Sequence, residues 1–134
     1  MQKDYFESFC RKILASNQSI RFVGIANHLG SLIVTVYREN LVPLMTKEET
    51  SQYSIQAVLR AAIREDFESK IGKLEYSIGK YERLIRATVP ILFSRNEGKK
   101  FYLLLSFDPD SDVKAIIDKK VLPHLTKSKE YFIQ

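Results

Sequence analysis

The order of hydrophobic periodicities constrains this chain more than any single motif. A helical stripe is followed by two alternating strands, one long capped helix, three strand-like runs and a closing helical stripe. That order favours a small sheet with helices packed on it and argues against most enzyme folds, because no cluster of chemically competent residues is laid over it.

Phe6, Phe9, Cys10, Ile13 and Leu14 recur at three-and-four spacing, which predicts a helix over 2–16 with one side buried. The segment from Ile20 to Asn27 alternates around Gly24, His28-Leu29-Gly30 supplies a tight connection, and Ser31 to Arg38 is rich in β-branched residues, so these stretches read as a hairpin. Gly24 inside a strand points to a bulge or a close backbone approach.

Thr46 followed by Glu49 is a capping box and opens the strongest helix, over 46–68. Ile55, Val58, Leu59, Ala62, Ile63 and Phe67 form its expected buried stripe. Well round from that stripe runs a second row, Thr50, Ser54, Ala57 and Ala61. Small residues in such a row let another backbone come close, although alanine is also the best helix former at an exposed site.

From Lys73 the pattern is strand-like. Leu74, Tyr76 and Ile78 alternate with Glu75 and Ser77, and Gly79-Lys80 reads as a turn or bulge. Leu84 to Phe93 follows, where Pro90 implies an edge position, a bulge or a strand end. Arg95-Asn96-Glu97-Gly98 reads as a hairpin connection, and the apolar run Phe101 to Phe107 as a central strand covered on both faces. After Asp108-Pro109-Asp110, with Asp110 or Ser111 as cap, Val113, Ile116, Ile117, Val121 and Leu125 mark a closing helix over 112–125 that Pro123 ends or kinks. The tail 126–134 is expected to fray.

At 134 residues and 45% hydrophobic, the chain suits a single domain, 1–134, with one real core. No stretch approaches the roughly 18 uncharged apolar residues of a membrane span, and the reading is a cytoplasmic protein. The lone Cys10 lies on an apolar stripe and suits a small buried hydrophobe. The net charge of +5 is concentrated in 70–100, with eight cations against three carboxylates, while the rest balances at thirteen of each. Lys70, Lys73, Lys80, Arg83, Arg86, Lys99 and Lys100 are therefore the candidate basic patch for nucleic acid, with Tyr76, Tyr81, Phe101 and Tyr102 in or beside it. Lysines guarding edge strands are the favoured account of that charge.

Asp108-Pro109-Asp110-Ser111-Asp112 resembles the first motif of haloacid-dehalogenase phosphatases. Only 22 residues follow Asp112, too few for that family's later motifs. As an EF-hand loop it lacks glycine at Val113 and glutamate at Lys119. Helix capping explains it better. His28 and His124 have no sequence partners for a metal site or a triad and read as surface residues, and P-loop and dinucleotide glycine patterns are missing. No catalytic residue, metal or cofactor is assigned.

Val23-Gly24-Ile25, Gly30 in the hairpin turn, the long helix from Thr46 and Tyr102-Leu103-Leu104-Leu105-Ser106-Phe107 together resemble the roadblock/LC7 and profilin-like superfamily. The resemblance is one of topology and covers nearly the whole chain. Asn27-His28-Leu29-Gly30 stands where that family usually has an acidic-glycine turn. It implies an α+β fold: a five-stranded antiparallel sheet with the terminal helices on one face and the long helix on the other. It further implies a homodimer formed through the long helix and the adjacent edge strand, and a scaffold or regulator of small GTPases. That would place Thr50, Ser54, Ala57, Ala61, Lys73, Glu75 and Ser77 at the subunit contact. The expected function is a non-enzymatic protein–protein interaction module. Nucleic-acid binding through the basic segment is the alternative, and small-ligand sensing beneath the sheet, as in PAS-like folds, the third.

Overall fold

The computed structural model describes residues 2–91, 93 and 100–133. Its strands are β1 (Ile20–Asn27), β2 (Leu32–Tyr37), β3 (Ser77–Lys80), β4 (Ile85–Ile91) and β5 (Phe101–Phe107), paired antiparallel throughout in the order β2-β1-β5-β4-β3. β5 is central, and every one of its side chains except Ser106 is buried, as a continuous apolar run demands of a strand covered on both faces. Pro90 is tolerated in β4 because it lies past Thr88, the last residue that β3 pairs with.

Alternation divides the sheet cleanly. Val23, Ile25, Val34, Val36, Ala87, Val89, Leu103 and Leu105 face the larger core, which α1 (Gln2–Ala15) and the C-terminal helices close with Phe6, Phe9, Ile13, Ile117, Val121 and Phe132. Phe22, Ala26, Tyr102 and Leu104 face the other way, under α2 (Lys47–Arg64). The extra residue Arg21, between the Ile20–Phe107 and Phe22–Ser106 pairs, switches the pattern so that Ile20 and Phe22 serve opposite cores.

α2 starts at the complete Thr46–Glu49 capping box, but its orientation reverses the sequence expectation. Ser54, Ala57, Val58 and Ala61 are buried against the sheet, whereas Ile55, Leu59, Ala62, Ile63 and Phe67 are exposed. Phe22, Tyr102 and Leu104 already fill the sheet's surface, so close packing requires small residues from the helix. The backbone that the small row admits is the chain's own. Gly30 has φ +85°, and a Cβ there would stand 2.6 Å from Ile55 Cα.

Past Arg64 the helix tightens into a 3₁₀ turn, Glu65–Phe67, and a short α3, Glu68–Ile71, which ends at Gly72 with φ +87°. β3 consequently begins at Ser77, not Lys73, and Gly79 and Lys80 lie within it, not in a turn. The connection read at 95–98 lies outside the described residues.

The closing helix is segmented into α4 (Val113–Ile116), a π turn (Ile117–Val121), α5 (Leu122–Lys127) and α6 (Glu130–Ile133). The π turn directly precedes Pro123, which has no N–H to give and crowds the preceding turn. Asp112, not Asp110 or Ser111, is the N-cap, its carboxylate accepting from the Ala115 N–H. The described part of the tail expected to fray, 126–133, is packed on the core: Phe132 is fully buried and stacks on Phe6 at 4.8 Å, while Tyr131 stacks on Tyr5 at 4.8 Å. Aromatic burial outweighs the loss of backbone freedom here.

Candidate functional site

Because its small residues face inward, α2 carries its large ones outward. Ile55, Leu59 and Ile63 on α2 and Phe67 in the 3₁₀ turn beyond it, spaced by four, are 52–64% exposed. Such a row winds slowly round a helix and forms one continuous apolar ridge of the kind that marks an interaction surface. Gly30 meets the helix at Ile55, which puts that end of the ridge beside the exposed Leu29 of the β1–β2 turn.

The opposite flank of α2 presents Tyr53, Arg60 and Arg64 toward β3. Together with Ser77, Ile78, Gly79, Tyr81, Arg86 and Thr88 they line a groove of about 300 Å³. Arg86 lies over the Tyr53 ring with its guanidinium carbon 3.7 Å from the centroid, and the Arg60 carbon lies 5.9 Å from the same centroid. Burial pushes the Tyr53 phenol above its ordinary pKa, opposed by the charge of Arg86. Nearby, Tyr37, Leu41, Leu44, Met45 and Arg86 share a smaller, more apolar recess of about 60 Å³. Among the described residues no strand covers the outer edge of β3, and Ile78 on it is exposed.

The residues assigned to a subunit contact separate into two groups. Ser54, Ala57 and Ala61 are buried inside the protomer and cannot touch a second one; Ser54 Oγ donates to the Gly30 carbonyl at 2.7 Å. Thr50 is half-buried, its hydroxyl donating to the Thr46 carbonyl. Lys73 and Glu75 are exposed just before β3, and the half-buried Ser77 is its first residue. The ridge residues are the ones the apolar pattern placed inward. The flank residues Arg60 and Arg64 were missed, although their spacing of seven and eleven from Tyr53 sets all three on one helix face.

The basic segment is not gathered into one patch. Lys70, Lys73, Lys80 and Arg83 are exposed, and Lys80 Nζ donates to the Pro109 carbonyl. Arg86 is half-buried beneath α2, where it also contacts Met45 Sδ. Lys100 leads into β5 at the Ile91 end of β4, about 20 Å along the strand from the Ile85 end that pairs with Lys80. Lys99 lies outside the described residues. Phe101 and Tyr102 are core residues, and Tyr76 donates to Asp118.

Asp108 is an ion-pair hub. Arg38 grips it with Nη1–Oδ2 2.9 Å and Nη2–Oδ1 3.1 Å, and Arg21 adds a contact at 3.4 Å. Arg38 first, then Arg21, hold the Asp108 carboxyl below the usual carboxylate range against some burial. His28 is exposed; His124 is half-buried, stacks on Phe9 at 4.7 Å, and is kept below the ordinary histidine pKa by burial and then by Lys12 and Lys127. Among the described residues no three His, Cys, Asp or Glu side chains converge as a metal site, and no helix is long and apolar enough to cross a membrane.

No protein-family model matches the sequence, and no curated protein matches it either. Its structure is similar to solved ones. "MglB with tetrameric arrangement" superposes with TM-score 0.75 at 10% identity, over 98% of this chain and 90% of that one. The gliding protein MglB from Thermus thermophilus gives 0.69 at 13%, over 98% and 87%. A Roadblock/LC7 domain from Streptomyces avermitilis gives 0.69 at 5%, over 96% and 98%. The chain has the roadblock/LC7 fold.

Proposed function

We propose that this chain is a non-enzymatic interaction module that assembles with a second copy of itself and then offers the assembled surface to another protein. The apolar ridge on α2 carries the proposal. Four large side chains left in water, three on an otherwise well-packed helix and one in the turn that continues it, are costly unless something covers them.

A second copy is the occupant that the open β3 edge favours. A two-fold axis beside that edge would pair β3 with its counterpart antiparallel and extend the sheet, with Lys73, Glu75 and Ser77 at the contact. The ridge winds toward the same flank at Ile63 and Phe67, so helix and strand would be covered together. One solved structure of this fold, "MglB with tetrameric arrangement", supports self-association here. A small GTPase is the partner class that the roadblock resemblance implies.

Sedimentation equilibrium tests the assembly. Wild type should run at twice the 15.5 kDa chain mass or a higher multiple, and Ile63→Arg with Phe67→Arg at the single-chain mass with an unchanged far-UV spectrum. A wild-type monomer at every concentration would remove the proposal.

A further inference from the structure

The groove between α2 and β3 concentrates positive charge without balancing it. Arg60, Arg64 and Arg86 line it, and among the described residues no carboxylate does. None of the three has an ion-pair partner among the described residues, whereas Arg11 pairs with Glu7, and Arg21 and Arg38 with Asp108. Three unpaired guanidinium groups around one concavity repel one another, and that repulsion is relieved when an anion enters.

The surroundings narrow the kind of anion. Arg86 is held flat over Tyr53, with Tyr81 5.7 Å away on the groove side and one N–H directed at Met45 Sδ, so its guanidinium is fixed in place rather than waving in solvent. Tyr53, Ser77, Tyr81 and Thr88 are the hydroxyl-bearing residues of the lining. Gly79 leaves the floor low, since a Cβ there would meet only the Tyr81 ring edge at 3.4 Å. A space of about 300 Å³ is at the small end of ligand sites. It is too small for a folded segment and suits a compact group that takes several guanidinium hydrogen bonds at once, which is the chemistry of phosphate.

We propose that this groove binds a small molecule bearing a phosphate or diphosphate, with Arg60, Arg64 and Arg86 as its anion ligands and Tyr53 as the plate that orients Arg86. The groove is built from one protomer's residues alone, and Ser77 borders both it and the proposed β3 contact.

Calorimetric titration with inorganic pyrophosphate at fixed ionic strength is the test. One saturable site is expected, weakened about tenfold or more by Arg60→Gln with Arg64→Gln, both exposed and replaceable without disturbing the core. Lys70→Gln with Lys73→Gln removes the same net charge outside the groove and should leave the affinity unchanged. Arg86→Lys, which keeps the charge but loses the planar fork, should weaken binding as well. Absence of a saturable site overturns the proposal, and so does equal weakening by the arginine and lysine pairs. A third overturning result is preferential binding of a single-stranded oligonucleotide that falls steeply with salt and is lost in the lysine variant, which would make the surface an extended nucleic-acid one.

Discussion

The hydroxyl of Ser54 donates a 2.7 Å hydrogen bond to the carbonyl oxygen of Gly30, tying the middle of α2 to the β1–β2 turn in the protein interior. The turn meets the helix so closely that Gly30 has two separate requirements, a positive φ and no Cβ. Gly30→Ala is therefore expected to cost about 2–4 kcal/mol through left-handed strain and the clash with Ile55 Cα. Ser54→Ala, which orphans the buried carbonyl, should cost about 1–2 kcal/mol. Urea unfolding midpoints measure both, and a Gly30→Ala variant as stable as wild type would show that turn and helix do not touch.

The orientation of α2 can be tested by size. Ala61→Leu should destabilise by about 1–3 kcal/mol, because three extra carbons have nowhere to go above Tyr102 and Leu104. Leu59→Gln should stay within about 0.5 kcal/mol in a monomeric background, since more than half of its surface is already in water. The reverse ranking would restore the face that hydrophobic periodicity alone selects.

Why periodicity misjudged that helix, while the order of elements was legible, has a physical answer. β5 was readable because a strand covered on both faces must be apolar at every position, and Thr46–Glu49 because a capping box is a local device. The face of α2 depends on what lies opposite. Phe22 and Tyr102 supply the bulk, and neither is marked in sequence as the partner of Ala57 or Ala61. The groove was hidden for the same reason. Arg86 lies on a strand, and Arg60 and Arg64 lie on a helix among Glu65 and Asp66, so only the tertiary fold brings them together. The helix ends were lost to local events that periodicity does not record, namely the 3₁₀ turn at Glu65–Phe67 and the π turn before Pro123.

Acid should weaken the protein partly through Asp108. Its folded pKa is depressed, so the stabilisation is fully present above the unfolded carboxylate value near 3.9 and is lost as pH falls through the folded one. Arg38→Gln should lower stability near neutrality by about 1 kcal/mol, given a part-exposed bidentate pair. The gap from wild type should close below pH ~4. Stability curves from pH 2 to pH 7 would show it, and a gap that persists unchanged at the acid end would mean Arg38 acts by packing alone.

Cys10 is enclosed between α1 and the sheet, and burial, followed by the charge of Glu7, pushes its thiol up to about 12. Only thiolate reacts with alkylating reagents. Iodoacetamide labelling of the native protein at mildly alkaline pH should therefore be at least about a thousandfold slower than in urea, with the rate set by local opening. Rapid native labelling would show that α1 lifts readily from the sheet.

The C-terminal helix makes the last prediction. Phe132 fills the space between Phe6, stacked at 4.8 Å, and Phe9, met edge-on at 5.3 Å, so removing its ring opens a cavity in the larger core. Phe132→Ala should cost about 3–5 kcal/mol, and truncation after Lys129 at least as much, because it also removes the Tyr131 stack on Tyr5. A frayed tail would tolerate either change within about 0.5 kcal/mol. The two expectations are several kcal/mol apart, so one denaturation curve for each variant decides between a docked helix that completes the core and a chain end that merely follows it.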